Sequence, residues 1–167
     1  MPHEKTYINY NVLSMLREMI TVLSKATPDL RTVPIEVIVD SNALLTPLQF
    51  KIDVFGELER LLNRRFELIL LSPVKRELER LAAESSTKMR RMATVALKLA
   101  EKCRYVEVNS SGRMVDDVIV ETAAKTRTPV FTNDSQLRKR LRDISVPVIY
   151  VRQKSHLAIE GMIQSHV

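Results

Sequence analysis

Residues 7–25 carry apolar side chains at every third or fourth position, a period that predicts an amphipathic helix. Two prolines within residues 27–34 interrupt that period and predict a linker. From residue 35 onward, short apolar runs alternate with longer amphipathic stretches. The pattern therefore changes near residue 35 from a single helix to a repeating series of strands and helices.

The apolar runs are short and rich in β-branched and aromatic side chains, which is typical of strands buried on both faces. They predict strands at residues 35–39, 66–71, 105–108, 129–132 and 147–151. The amphipathic stretches predict helices at residues 51–64, 73–83, 87–103, 115–126 and 135–142. Because helices that connect parallel strands cover both faces of a sheet, we expect an α/β fold. Specifically, the pattern predicts a three-layer α/β/α sandwich around a central, mainly parallel five-stranded sheet.

The chain divides into three predicted segments. They are an N-terminal helix with its proline-containing linker at 1–34, an α/β domain at 35–152, and a C-terminal tail at 153–167. The N-terminal helix either covers its own domain or serves dimerisation or docking. The tail either forms a short helix or frays.

Composition restricts the chemistry that this chain can perform. The three histidines lie near the termini and Cys103 is the only cysteine, which argues against a zinc site, a histidine-based triad and an internal disulfide. The three glycines are scattered singly, so they form neither a P-loop nor a dinucleotide-binding fingerprint. No apolar run is long enough to span a membrane, and charged residues interrupt the N-terminal apolar stretch, so we expect a cytoplasmic protein without a membrane partner.

Carboxylates follow the predicted strands at one edge of the sheet. Asp40 follows the first strand, Glu77 lies on the helix after the second, Asp116 and Asp117 open the helix after the third, and Asp134 follows the fourth. Each carboxylate alone has an ordinary explanation as a turn residue, a helix cap or a solvated helix face. Together they would repel one another unless a hard divalent cation neutralised them.

The net charge of +6 from 26 basic and 20 acidic residues favours a polyanionic partner, although many basic proteins bind no nucleic acid. An acidic pocket within a basic surface is the electrostatic pattern of a metal-dependent nuclease, because basic groups hold the phosphate backbone beside the metal. The basic residues that we expect to contact the phosphate backbone of a nucleic acid are Arg76, Arg80, Arg138, Lys139 and Arg140.

Four short motifs carry a family resemblance. They are VDSNAL at 39–44, VKREL at 74–78, DDVI at 116–119 with Ala123, and VFTND at 130–134. In this order and spacing they resemble the PIN domain, the nuclease fold shared by VapC-type toxins and ribosomal-RNA processing endonucleases, over residues 35–152. The chain is most similar to archaeal relatives of the small-subunit processome PIN endonuclease. Those relatives usually carry zinc-ligand cysteines in an extension, which this chain lacks.

The resemblance implies a set of site residues. The catalytic acids would be Asp40, Glu77, Asp116 and Asp134. One or two Mg²⁺ or Mn²⁺ ions would bind Asp40, Asp116 and Asp134, with Asp117 either an alternative ligand or a partner beside Asp116. The supporting polar residues would be Ser41, Asn42 and Thr132.

The resulting hypothesis is a metal-dependent endoribonuclease that acts in rRNA processing or as a toxin-type ribonuclease. Its products would carry 5′-phosphate and 3′-hydroxyl ends. The alternative is a catalytically inactive PIN fold that binds RNA or serves ribosome assembly. Expected partners are single-stranded RNA or rRNA, a second copy of the chain in a homodimer, and an antitoxin or a ribosome-assembly protein.

A haloacid-dehalogenase-type phosphohydrolase is disfavoured because Asn42 stands where that chemistry needs a second aspartate. A receiver domain is disfavoured because residues 71–73 provide no aspartate to phosphorylate.

Overall fold

The computed structural model describes residues 17–21 and 33–163. Residues 17–21 are helical, and the rest of the predicted N-terminal helix and most of the linker, at residues 1–16 and 22–32, lie outside the described residues. The chain divides into two compact units, Met1–Val33 and Pro34–Val167. Within the described ranges, every helix is too short or too polar to cross a membrane.

The second unit alternates strands with helices. Its strands are β1 (Ile35–Val39), β2 (Phe66–Leu71), β3 (Arg104–Val106), β4 (Val130–Phe131), β5 (Val148–Arg152) and β6 (His156–Glu160). Its helices are α1 (Ser41–Phe50), α2 (Val54–Leu62), α3 (Ser72–Glu84), α4 (Thr87–Ala100), α5 (Val115–Thr126) and α6 (Ser135–Asp143). The predicted α/β sandwich is confirmed.

The strands form one sheet in the order β3-β2-β1-β4-β5-β6. The first five are parallel, and β6 pairs antiparallel with β5. The sheet therefore has six strands, so the predicted number of five is wrong. The sixth strand comes from the predicted tail, where residues 156–160 form neither a short helix nor a frayed end.

The turn before β6 explains why this strand was not predicted. Gln153 and Lys154 both adopt left-handed backbone conformations, with φ of 53° and 58°. Asn and Gly usually occupy such positions in hairpin turns, so this sequence carries no recognisable turn signal. A long-range contact also holds β6, because the Glu57 carboxylate of α2 accepts a hydrogen bond of 2.9 Å from the Leu157 amide.

Helix α1 also has no counterpart among the predicted elements. The polar residues after β1 and a proline in its interior, Pro47, give this segment the composition of a loop. The helix forms because Asp40 caps its start, and the Lys51 amide bonds the Pro47 carbonyl at its end. It packs against α3 and α4, and it buries Ala43, Leu44 and Leu45.

The core lies mainly around the sheet. Its largest fully buried side chains include Phe131, Ile38, Leu71 and Ile149. Parallel strands buried on both faces need such continuous apolar runs, which is why the strand predictions agree closely with the structure. At the sheet surface, Arg104 of β3 bonds both Glu36 and Glu67, two like charges that lie opposite each other in β1 and β2.

Candidate active site

The candidate site lies where the sheet order changes direction, between β1 and β4. The chain moves from β1 to β2 and β3 on one side and returns to β4 on the other. In open parallel sheets this position creates a crevice beyond the carboxyl ends of the strands. Asp40 follows β1 directly, and Thr132, Asn133 and Asp134 follow β4.

Asp40 is a buried carboxylate with only 4% of its surface exposed. Its amide bonds the Phe131 carbonyl at 3.0 Å, which continues the β1–β4 ladder beyond the strand. Its Oδ1 accepts a hydrogen bond of 2.7 Å from the Ser41 amide, and its Oδ2 accepts one of 2.7 Å from the Thr132 hydroxyl. The Ser41 hydroxyl lies 3.5 Å from Oδ1. The backbone of two neighbouring strand ends therefore fixes the position of this carboxylate.

The surroundings of Asp40 favour its neutral form. Burial, with smaller contributions from the negative charges of Glu77 and Asp116, raises its pKa from 3.8 to about 6. The hydrogen bonds from Thr132 and Ser41 partly oppose this rise. The structure thus gathers negative charge around a carboxylate that is already removed from water.

Asp134 caps helix α6. Its Oδ1 accepts hydrogen bonds of 2.8 Å from the amides of Gln136 and Leu137, as expected of an N-cap aspartate. Its own amide donates to the Thr132 hydroxyl at 3.1 Å. Because the same hydroxyl donates to Asp40, Thr132 links the first and fourth acidic positions directly.

The third acidic position contains two aspartates that face different surroundings. Asp116 is half-buried, and its pKa is raised by burial and then by the charge of Asp134, with smaller contributions from Glu77 and Asp117. Asp117 is exposed and pairs with Arg140 at 2.7 Å. Successive helix residues point about 100° apart, so only one of the two can face the other acids. Asp116 occupies that position.

Asn133 was not predicted as a site residue, yet it joins three elements. Its Oδ1 accepts a 2.8 Å hydrogen bond from the Val151 amide of β5, and its Nδ2 donates to the Thr46 hydroxyl of α1 at 2.8 Å. Its amide donates to Oδ1 of Asn42 at 3.0 Å. A polar residue between Thr132 and Asp134, directly after a buried strand, is the sequence signal that could have drawn attention to it.

Comparison with known proteins then identifies the fold. The family model described as a PIN-like domain matches residues 37–154. The chain belongs to the PIN-like domain family. The family that the four sequence motifs predict is therefore confirmed.

Relatives of this PIN-like domain include two archaeal proteins. Ribonuclease VapC4 of Methanocaldococcus jannaschii is 35% identical over 129 residues, which cover 77% of this chain and 98% of that protein. Ribonuclease VapC9 of Archaeoglobus fulgidus is 33% identical over 123 residues, which cover 74% of this chain and 87% of that protein. The solved structure of the PIN domain endonuclease Utp24 is similar with a TM-score of 0.67 and 28% identity, covering 78% of this chain and 94% of that one.

The five basic residues predicted to contact RNA have different surroundings in this PIN-like domain. Arg138 lies over the Tyr150 ring, 3.6 Å from its centroid, and pairs with Glu160 at 3.4 Å. Arg140 is paired with Asp117. Lys139 is exposed on α6, and the other two, Arg76 and Arg80, line a groove beside Glu77.

The donor chemistry of the PIN-like site suits a hard divalent cation in an open site. Within residues 17–21 and 33–163, no group of three or more His, Cys, Asp or Glu side chains is arranged as a metal-ligand cluster. Mg²⁺ does not require such a cluster, because one or two carboxylates commonly bind it together with waters and a substrate phosphate. Oxygen donors that repel one another, as Asp40 and Asp116 do, are those that a cation would stabilise.

Proposed function

We propose that this PIN-like protein is a metal-dependent endoribonuclease that hydrolyses RNA phosphodiester bonds. The observation that carries the proposal is the placement of buried Asp40 in the electrostatic field of Glu77 and Asp116 at the sheet crevice. The names of its relatives, two ribonucleases and an endonuclease, support the same chemistry. Cleavage would leave 5′-phosphate and 3′-hydroxyl ends.

Asp40, Asp116 and Asp134 would hold one or two Mg²⁺ or Mn²⁺ ions, and Glu77 would complete the acidic site. When bound, such a cation supplies activation of water and neutralisation of charge at the scissile phosphate.

The chain's own residues would orient these carboxylates. Thr132 holds Asp40 and the backbone of Asp134 in one hydrogen-bonded unit, and Asn42 and Asn133 fix the ends of β1 and β4 relative to each other. A rigid arrangement of this kind lowers the reorganisation that a reaction requires.

Two biological roles use this chemistry. The ribonuclease relatives carry toxin-type names, whereas the similar structure is named for the PIN domain endonuclease Utp24. The same acidic residues would serve either role, so they do not distinguish rRNA processing from a toxin role. A homodimer, an antitoxin and a ribosome-assembly partner stay predictions for the same reason.

Cleavage of labelled RNA tests the proposal. The full chain is incubated with single-stranded and structured RNA in Mg²⁺ or Mn²⁺, and product ends are mapped. Asp40→Asn should lose cleavage, as should the wild type in EDTA. Asp143→Asn is the matched control, because it makes the same chemical change at an exposed carboxylate on α6.

Two results would contradict the proposal. One is cleavage by Asp40→Asn at the wild-type rate, which would place the activity elsewhere or in a contaminant. The other is tight RNA binding in EDTA with no metal-dependent cleavage of any RNA offered. That second result would favour the alternative of a non-catalytic RNA-binding module.

A further inference from the structure

A groove opens directly beside the acidic site, between the first turns of α3 and the loop from β3 to α5. Its volume is about 420 Å³. Glu77 belongs to its wall, so the groove is continuous with the acidic cluster. Arg76 and Arg80 line it from the α3 side, and Ser110 and Arg113 line it from the loop side.

The loop that forms the outer wall is anchored at several points. The hydroxyl of fully buried Ser72, at the start of α3, accepts a hydrogen bond of 3.1 Å from the Val108 amide and lies 3.3 Å from the Val108 carbonyl. Arg76 donates to the Ser110 hydroxyl at 2.5 Å across the groove. The wall is therefore attached to the same helix that carries Glu77.

The side chains of Arg76, Arg80 and Arg113 line this groove, and carboxylates outside the groove hold two of them. Arg76 pairs with Glu107 at 3.6 Å, and Arg113 pairs with Glu121. Neither carboxylate belongs to the groove wall. Arg80 makes no ion pair with any residue in the described ranges. The groove thus presents fixed arginines together with one that is free to bind a ligand.

We propose that this groove is a phosphate subsite that binds one backbone phosphate of the RNA strand next to the bond that is cut. The assignment rests on the proposed ribonuclease function. Arginine suits the role because its planar fork of N–H donors matches the oxygens of a phosphate. The volume lies near the lower limit of small-ligand sites, so it admits about one nucleotide of a single strand.

The other basic side of the acidic site is less suited to this role. On α6, Arg138 and Arg140 already bind carboxylates. An RNA strand that leaves the acidic cluster on the groove side meets the guanidinium of Arg80, which makes no ion pair with any described residue, beside Arg76 and Arg113, which carboxylates outside the groove hold in place. Helix α4 carries exposed Arg90 outside this groove, and this residue provides a control for the general effect of positive charge.

Binding in EDTA tests the subsite separately from catalysis. A fluorescent single-stranded oligoribonucleotide is titrated with wild type, Arg80→Gln, Arg113→Gln and the control Arg90→Gln over a range of salt concentrations. Each groove variant should weaken binding about tenfold, as expected for one charge-assisted contact. Each should also reduce the slope of log K against log salt by up to about 0.7, the full contribution of the one phosphate on a single strand that the groove binds.

The position of the phosphate is tested with uncharged linkages. Once the cleavage site is mapped, a methylphosphonate replaces each neighbouring phosphate in turn. One replacement should lower kcat/KM for the wild type about tenfold and should lower that of Arg80→Gln by less, because this variant has already lost one of the contacts to that phosphate.

Equal salt slopes for the wild type and both groove variants would overturn the subsite. A loss of RNA affinity in Arg90→Gln as large as that in the groove variants would overturn it as well. Melting temperatures of all variants show whether any loss of binding reflects unfolding. If the groove variants lose RNA binding but no RNA is ever cut, the ribonuclease function fails while phosphate binding by the groove stands.

Discussion

Replacing Asp40 by asparagine should stabilise the folded protein at neutral pH in metal-free buffer. Burial raises the pKa of Asp40 from 3.8 to about 6, so its ionised form is disfavoured in the folded state. A shift of about 2 pKa units corresponds to about 3 kcal/mol. The folded-state pKa lies above the unfolded value, so protonated Asp40 contributes this free energy to stability below about pH 4. The contribution is lost as the pH rises through about 6.

The asparagine variant keeps the shape of the site but does not carry this charge. Its amide oxygen can still accept from the Ser41 amide, and the Thr132 hydroxyl can turn to accept from the new NH₂ group. Loss of a charge-assisted hydrogen bond offsets about 1 kcal/mol of the gain. We therefore expect Asp40→Asn to exceed the wild type by about 2 kcal/mol in free energy of unfolding at pH 7.5.

Urea unfolding followed by circular dichroism, in EDTA at a series of pH values from 4 to 8, measures this difference. The stabilities of the wild type and Asp40→Asn should diverge as the pH rises, whereas the control Asp143→Asn should run parallel to the wild type. Added Mg²⁺ should raise the stability of the wild type more than that of Asp40→Asn. A constant difference between wild type and Asp40→Asn across the pH range would refute the reasoning, because it would mean that Asp40 titrates normally in the fold.

Three further changes test the contacts around the site and the sheet. Asp116→Asn should lower kcat/KM for RNA cleavage by about 100-fold and Asp117→Asn by less than about tenfold, and equal losses would mean that both aspartates act in the site. Thr132→Val should lower the free energy of unfolding in urea by about 1–3 kcal/mol, because a buried hydroxyl that bonds Asp40 is lost, and an unchanged midpoint would contradict this. Arg104→Met should lower the free energy of unfolding by no more than about 1 kcal/mol in the same assay, since the ion pairs of Arg104 with Glu36 and Glu67 are half-exposed. A larger loss would mean that these ion pairs stabilise the sheet more than exposed pairs do.

The sheet could be predicted from sequence because buried parallel strands produce continuous apolar runs. The boundaries of β1 and β2 agree with their predicted ranges, and the other parallel strands differ by one or two residues. The two omissions, α1 and β6, have local sequences that contradict their structures. Contacts distant in sequence stabilise both elements, such as the bond between Glu57 and the Leu157 amide, and no local pattern reports such contacts.

The sequence predicts a set of acidic site residues because each follows a predicted strand at the same sheet edge, and their role in a site stays a prediction. What the sequence left open was the choice between Asp116 and Asp117, which depends on the rotational position of α5 against the sheet. Ser72 and Asn133 were also not predicted as site residues. The hydrogen-bond partner of Ser72 lies 36 residues away in sequence, and the partners of Asn133 lie 18 or more residues away. Their polar side chains look like ordinary turn residues until the neighbouring strands place those partners beside them.

The net charge of +6 does not show which basic residues can bind RNA, whereas the ion pairs do. A uniformly basic surface would attract RNA without orienting it, because phosphate contacts alone carry no preferred path. In this protein, carboxylates already bind Arg138 and Arg140 on one side of the acidic cluster. On the other side, Arg80 makes no ion pair with any described residue and lines the groove that continues from Glu77. Of the arginines in the groove and on α6, the one without an ion pair to a described residue is therefore Arg80, so an RNA strand that crosses the acidic cluster should run along the groove between α3 and the β3–α5 loop.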